Sequence, residues 1–152
     1  MTRDDVMREI VDHVNKVGEF MCAVSNELMQ RAVKHDRSKF DAEEFDAFVE
    51  ATPKLKGLTY GSDEYKANIE SIRPAVERHY KLNRHHPEYF DCLCGGMTLI
   101  DLMEMLCDWK AATLRHDDGD LRRSIAQNKE RFSMSDQLEM ILLKTAESMG
   151  WC

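Results

Sequence analysis

Three groups of residues in this chain have the types and spacing to hold a divalent cation. The first is His35-Asp36. An imidazole and a carboxylate that are neighbours in sequence, placed where a helix ends, can both reach one ion, because the backbone there is leaving helical geometry. That mixed donor set suits Mn, Fe, Co, Ni or Zn, with Mg as a harder alternative. The second group is His79, Asn83, His85, His86 and Glu88. On a continuing helix His79, Asn83 and His86 would fall on one face, but Pro87 cannot continue a helix, so 85–88 is expected to be an ordered turn. Four of the six histidines thus lie in the first two groups. The third group is Asp101, Glu104 and Asp108, whose spacings of three and four put them on one helix stripe. Carboxylates stacked this way repel one another unless a cation or several donors sit among them. Thr98 and Asp101 have capping-box spacing, so Asp101 has a structural use as well.

His13 is a further metal candidate. It can join His35 only if the first helix turns back near Ser25-Asn26. In an unbroken helix the two are about 33 Å apart, from 22 residues at ~1.5 Å rise. A basic group, Arg37, Lys39, Lys54, Lys56, Lys66 and Arg84, flanks these segments and can bind phosphate, with Tyr60 available to stack on a base. The other use of each is a solvated surface charge. Cys92 and Cys94 are soft donors one residue apart, narrower than the usual paired zinc spacing.

The elements that must position these groups are helices. Val6, Ile10, Val14, Val17, Met21, Val24, Leu28 and Ala32 recur every three or four positions, which predicts one amphipathic helix over 4–34. Ser38 or Asp41 caps a second, running to about 50. The stretch 52–62, with one Pro and two Gly, reads as a loop. Ser62 caps a third helix reaching about 83 with a kink at Pro74. The stretch 84–96 is irregular. A fourth helix runs from Thr98 to about 116, a turn covers 117–120, and two more helices cover 121–132 and 136–149. No stretch alternates with the period of a strand. The expected architecture is all-α: a single helical domain over 1–152 with about six helices.

Composition narrows the function. A chain of 152 residues, 43% hydrophobic and 32% charged, can bury a core. Apolar runs are too short to span a bilayer, and the N-terminus carries no apolar signal stretch, so a cytosolic setting is expected. Five cysteines without a CxxC pair fit reduced thiols. A net charge of −7 argues against coating duplex nucleic acid, while a local basic cluster still allows a small anionic ligand. Homo-oligomerisation is left open.

The His35-Asp36-Arg37-Ser38-Lys39 run resembles the HD-x-x-K signature of the HD-domain metal-dependent phosphohydrolases. His85-His86-Pro87-Glu88 is similar to the HHE segment of the HD-GYP branch, and the stretch from Asp108 to Thr113 resembles the helix that follows it there. That resemblance implies an HD-like all-α fold and a ligand set of His13, His35, Asp36 and Asp108 or Asp101, with further histidines for a second metal. Over the whole chain, HDRSKF, TPKLKGLTYGSDEYK, NRHHPEYF and EMLCDWKAA resemble an uncharacterised family of small phage and bacterial proteins, which implies a cytoplasmic setting, that of the host cell for a phage protein.

The leading expectation is a metal-dependent phosphohydrolase acting on a nucleotide or related phosphate ester. Its metal ligands are drawn from His35, Asp36, Asp108, His85, His86, His79, His13 and Asp101. Lys39, Glu104 and Glu88 would serve catalysis, and Arg37, Lys54, Lys56, Tyr60, Lys66 and Arg84 would serve the substrate. One alternative is a Mg-dependent nucleotide pyrophosphohydrolase of the MazG type, using Glu43-Glu44 and Glu104 with Asp108. A di-iron redox bundle is another. The last is a non-catalytic phage protein that binds a host factor or sequesters a nucleotide signal.

Overall fold

The computed structural model describes residues 1–56, 58–59, 62–115 and 118–152. Seven α-helices and three short 3₁₀ turns make up the regular structure, and no strand occurs among the described residues. None of the helices is long and apolar enough to cross a membrane. The chain divides into two units, Met1–His35 and Asp36–Cys152.

The first unit is a single helix, α1 (Arg3–Lys34), unbroken over 32 residues. Thr2 caps it reciprocally with Asp5: the Asp5 N–H donates to Thr2 Oγ1 at 3.2 Å, and the Thr2 N–H donates to Asp5 Oδ2 at 2.8 Å. It ends at His35, which turns to extended ψ. No residue of α1 is buried.

The second unit holds α2 (Ala42–Leu55), α3 (Asp63–Ser71), α4 (Arg73–Leu82), α5 (Leu99–Thr113), α6 (Leu121–Phe132) and α7 (Asp136–Ser148). The helix expected over 62–83 is two helices. Ile72 leaves helical geometry and is buried, and Pro74 then lies in the first turn of α4, where its missing N–H has no partner to lose. Helix α2 runs past Pro53 to Leu55, further than its sequence pattern suggested. Asp41 occupies the N-cap position of α2 without capping it, because its carboxylate accepts from Arg78 at 3.0 Å. The core lies between α5, α6 and α7, with Met105, Leu106, Leu121, Ile125, Phe132, Met134, Leu142 and Ala146 closing on one another. Trp109 stacks parallel to Phe132 at the edge of that core. With Met105 and Leu106 turned inward, Glu104 and Asp108, four residues apart, form the adjoining stripe of α5.

Candidate metal centre

Asp36 opens the second unit in left-handed backbone geometry (φ 55, ψ 18), a conformation that Asp tolerates better than most residues. Its carbonyl accepts from Lys39 N–H at 2.9 Å, closing a tight 3₁₀ turn. The Lys39 ammonium then folds back onto Asp36 Oδ2 at 2.5 Å, and also lies over the Phe48 ring.

The histidines arrive from the end of α4. His79 sits in its last turn and is buried. Asn83 leaves the helix in extended geometry, and His86 is extended too, as a residue before proline must be. Pro87 is buried and begins a 3₁₀ turn. This ordered turn, foreseen from Pro87, brings the rings together: the His85 and His86 centroids are 4.1 Å apart with the rings tilted, and those of His79 and His86 4.8 Å apart, edge to face. Ligand atoms of Asp36, His79, His85 and His86 all lie within 4.8 Å of one another, and those of Asp36, His85 and Asp108 do so as well.

Several polar groups converge on His79 Nδ1. Its Nδ1 is 2.9 Å from Glu44 Oε2. Glu44 is fully buried and takes further donors from Arg78 at 2.6 Å and Ser38 Oγ at 3.0 Å. Asn83 Nδ2 and Ser38 Oγ also approach His79 Nδ1, at 3.0 and 3.2 Å. The Nε2 of His79 is buried and faces Asp36 Oδ1 at 3.2 Å. His85 repeats the arrangement, with Nδ1 3.3 Å from Glu104 Oε1 and Nε2 3.4 Å from Asp36 Oδ1. A carboxylate behind each imidazole, with the far nitrogen aimed at a common point, is how proteins orient histidines toward a metal.

Burial works to raise the Asp36 carboxyl, but the imidazoles of His79 and His85 and the Lys39 charge outweigh it and hold the group far below the usual carboxylate range. Burial, aided by the neighbouring His85 and His79, pulls His86 down to about 3, so it is neutral at physiological pH. Its Nε2 is also buried and makes no hydrogen bond. Ionised carboxylate beside neutral imidazole is the state a cation requires of its ligands, and these donors fit an N/O-ligated divalent metal.

A cleft of about 330 Å³ opens beside this cluster. His86, Asp108 and Lys39 line one part of it, and Arg115, Arg123 and Arg131 contribute cations. Tyr65, Tyr80, Trp109 and Phe132 supply aromatic walls. Glu88 also lines it: Oε1 accepts from Arg131, while Oε2 is buried and makes no hydrogen bond.

Several residues singled out from the sequence stand elsewhere. His13 is exposed on α1, and the unbroken helix corrects its place in the ligand set: 21 helical steps separate it from Lys34, or about 32 Å at ~1.5 Å each, so it cannot share an ion with His35 of the same chain. Asp101 is fully buried but belongs to neither ligand group. Its carboxylate accepts two bonds from Arg84, at 3.2 and 3.0 Å, and two from the N–H and hydroxyl of Thr98. Arg84 is thereby committed to Asp101 and lies over the Tyr89 and Phe90 rings, away from the role of substrate cation. Lys54 and Lys56 are exposed at the end of α2, Lys66 is exposed beside Asp63, and Arg37 is exposed; none lines the cleft. Cys92 is exposed and Cys94 buried, outside both ligand groups. Tyr60 lies outside the described residues, as do His116 and Asp117 at the expected end of the fourth helix.

Sequence reasoning missed the cleft's arginines and the support given by Arg78. A signal for the former existed: Arg123, Gln127 and Arg131 recur every fourth residue on α6, a polar stripe beside the apolar one. Glu44 was weighed as a magnesium ligand; the structure instead engages it with Arg78, Ser38 and His79.

The model of DUF5662, a family of unknown function, matches residues 2–148, and the chain belongs to that family. No curated protein and no solved structure matches it.

Proposed function

We propose that this DUF5662 member is a metal-dependent phosphohydrolase acting on a nucleotide or related phosphate ester. The observation that carries the reading is the cleft itself, where ligand-type residues, His86 and Asp108, share one wall system with Lys39, Arg115, Arg123, Arg131 and four aromatic rings. Asp36, His79, His85, His86 and Asp108 would hold one or two divalent cations. A divalent ion bound there would lower the pKa of a coordinated water and polarise a phosphoryl oxygen.

The chain's own groups divide the remaining work. Glu44 and Glu104 orient His79 and His85 through Nδ1. Glu88, pinned by Arg131 through one oxygen, offers Oε2 to accept a proton from an attacking water. Arg115, Arg123 and Arg131 add positive charge to the cleft, Arg123 paired with Asp118 and Arg131 with Glu88, and would attract a phosphate. Tyr80 or Trp109 gives a base a surface to stack on. The carboxylate-only alternative of the MazG type is less well supported, because the Glu44 oxygens are already taken up by Arg78, Ser38 and His79.

The test is elemental analysis of tag-free protein beside an Asp36→Ala/His85→Ala variant, followed by a phosphate-ester and nucleotide panel with the metal found. A transition metal near stoichiometric in wild type, lost in a folded variant, and turnover of at least one substrate are expected. Metal retained by the variant would remove the site. Tight nucleotide binding without turnover across Mn, Fe, Co, Ni and Zn would replace the enzyme with a sequestering protein.

A further inference from the structure

Helix α1 is longer than any other helix here and buries nothing. Its apolar residues follow a stricter rule than amphipathicity. Met7, Ile10, Val14, Val17, Met21, Val24 and Leu28 are spaced alternately by three and four without a break. That is a period of 3.5, the repeat of a left-handed coiled coil rather than of a helix lying on a globular core. Of the seven, Met7, Ile10, Val14, Val17, Met21 and Val24 are each 42–66% exposed, so the seam is formed and open.

We infer that α1 is a dimerisation helix that pairs antiparallel with α1 of a second copy of this chain. Three observations select that occupant. The first is self-complementarity. About a two-fold axis near residue 19, Ile10 meets Leu28, Val14 meets Val24 and Val17 meets Met21 of the other copy, so every seam residue in the middle of the helix finds an apolar partner. The second is charge. The first turn of α1 carries Asp4 and Asp5 and the last turn Arg31 and Lys34. Antiparallel pairing sets acid against base at both ends, and it brings His13 beside Glu27; a parallel pair would set acid on acid and base on base.

The third is Gly18. Glycine is a poor residue for the middle of a helix. A Cβ built at Gly18 meets nothing within 4 Å in the chain, so no neighbour in the same molecule demands its absence. In the antiparallel pair Gly18 lies beside the seam, against Gly18 of the second copy, where a side chain would hold the two backbones apart. The size also suits a dimer. A 32-residue helix presents a strip roughly 48 Å long and about 10 Å wide. Two such strips cover on the order of 1,000 Å², the lower bound of a specific interface.

Sedimentation velocity of the full-length protein, from about 1 to 200 μM, tests this, with far-UV circular dichroism as the fold control. Wild type is expected to be a monomer–dimer equilibrium. Val17→Glu, which puts a charge in the centre of the seam but on the surface of the monomer, should weaken dimerisation at least about 100-fold. Gly18→Leu should raise helicity and still weaken dimerisation, which a purely structural glycine would not do. Lys34→Glu should weaken the dimer, and Asp4→Lys/Lys34→Glu should restore it. A monomeric wild type at 200 μM, or a Val17→Glu protein that dimerises as wild type does, overturns the proposal. Failure of the charge swap to restore dimerisation overturns the antiparallel arrangement.

Discussion

Glu44→Gln separates orientation of a metal ligand from simple stability. Glu44 is fully buried and accepts from Arg78 at 2.6 Å, His79 Nδ1 at 2.9 Å and Ser38 Oγ at 3.0 Å. Glutamine keeps the volume but removes the charge and turns one of the acceptor oxygens into a donor. Breaking a buried ion pair costs about 3–5 kcal/mol. The lower end applies, because Arg78 is partly exposed and keeps Asp41. Urea unfolding in EDTA should therefore show a loss of about 3 kcal/mol. The second effect concerns metal. With Nδ1 no longer beside a carboxylate, His79 loses a fixed ring orientation, and loss of such a partner typically weakens metal affinity about 10–100-fold. Competition titration against a chromophoric chelator measures that directly. The control is Asp101→Ala, which removes a buried carboxylate outside the ligand groups. It should lower stability with metal affinity unchanged. If Glu44→Gln lowers stability like the control but leaves affinity within threefold of wild type, the carboxylate–histidine–metal reasoning is wrong.

The other predictions are shorter. Asp101→Ala should cost about 3 kcal/mol in urea unfolding, since it removes both the Thr98 capping box and the two-bond partner of Arg84. Glu88→Gln should leave metal content intact and reduce kcat by about 10²–10⁴-fold, the usual contribution of a general base; unchanged kcat on an identified substrate would take Glu88 out of the chemistry. His86 gives a pH signature in the metal-free protein. Its folded pKa is pulled from 6.5 to about 3, so between those values the unfolded chain binds more protons. Stability is then fully present above pH 6.5 and falls with falling pH, by about 1.4 kcal/mol per pH unit per proton. Asp36, also depressed, adds to the loss only below the ordinary carboxylate range. His86→Gln should flatten the slope between pH 6.5 and 4.5, measured by urea unfolding in EDTA; an unaltered slope there would mean that His86 is not held neutral.

What could be read from the sequence was what is local. The starts of α3 and α5 followed from their caps, Ser62 and Thr98 with Asp101, where the signal lies within three residues of the effect. His85-His86-Pro87 announced an ordered turn for the same reason. The kink at Pro74 was legible, but its resolution into two helices was not, because that depended on Ile72 being drawn into the interior. Glu44 and His79 are 35 residues apart. No periodicity or spacing relates them, and only the packing of α2 against α4 decides that the acid stands behind the imidazole. Asp101 and Asp108 posed the converse problem. Seven residues apart on one helix, they look equivalent in sequence, and the choice between them was made by Arg84, which claims Asp101 from a distant segment and leaves Asp108 to the cluster.

The same logic explains why Asp36 is the pivot of the site. Asp36 and His85 are common to both ligand groups, and the two histidines whose Nε2 faces Asp36, His79 and His85, each have a glutamate at Nδ1. Glu44 comes from α2, His79 from α4 and Glu104 from α5, so the geometry at Asp36 is set by three helices at once. A shift of any one helix would misplace a donor that the other two have already fixed. Three packed helices thus preorganise these donors, and a ligand that bound the folded arrangement alone would stabilise it by mass action.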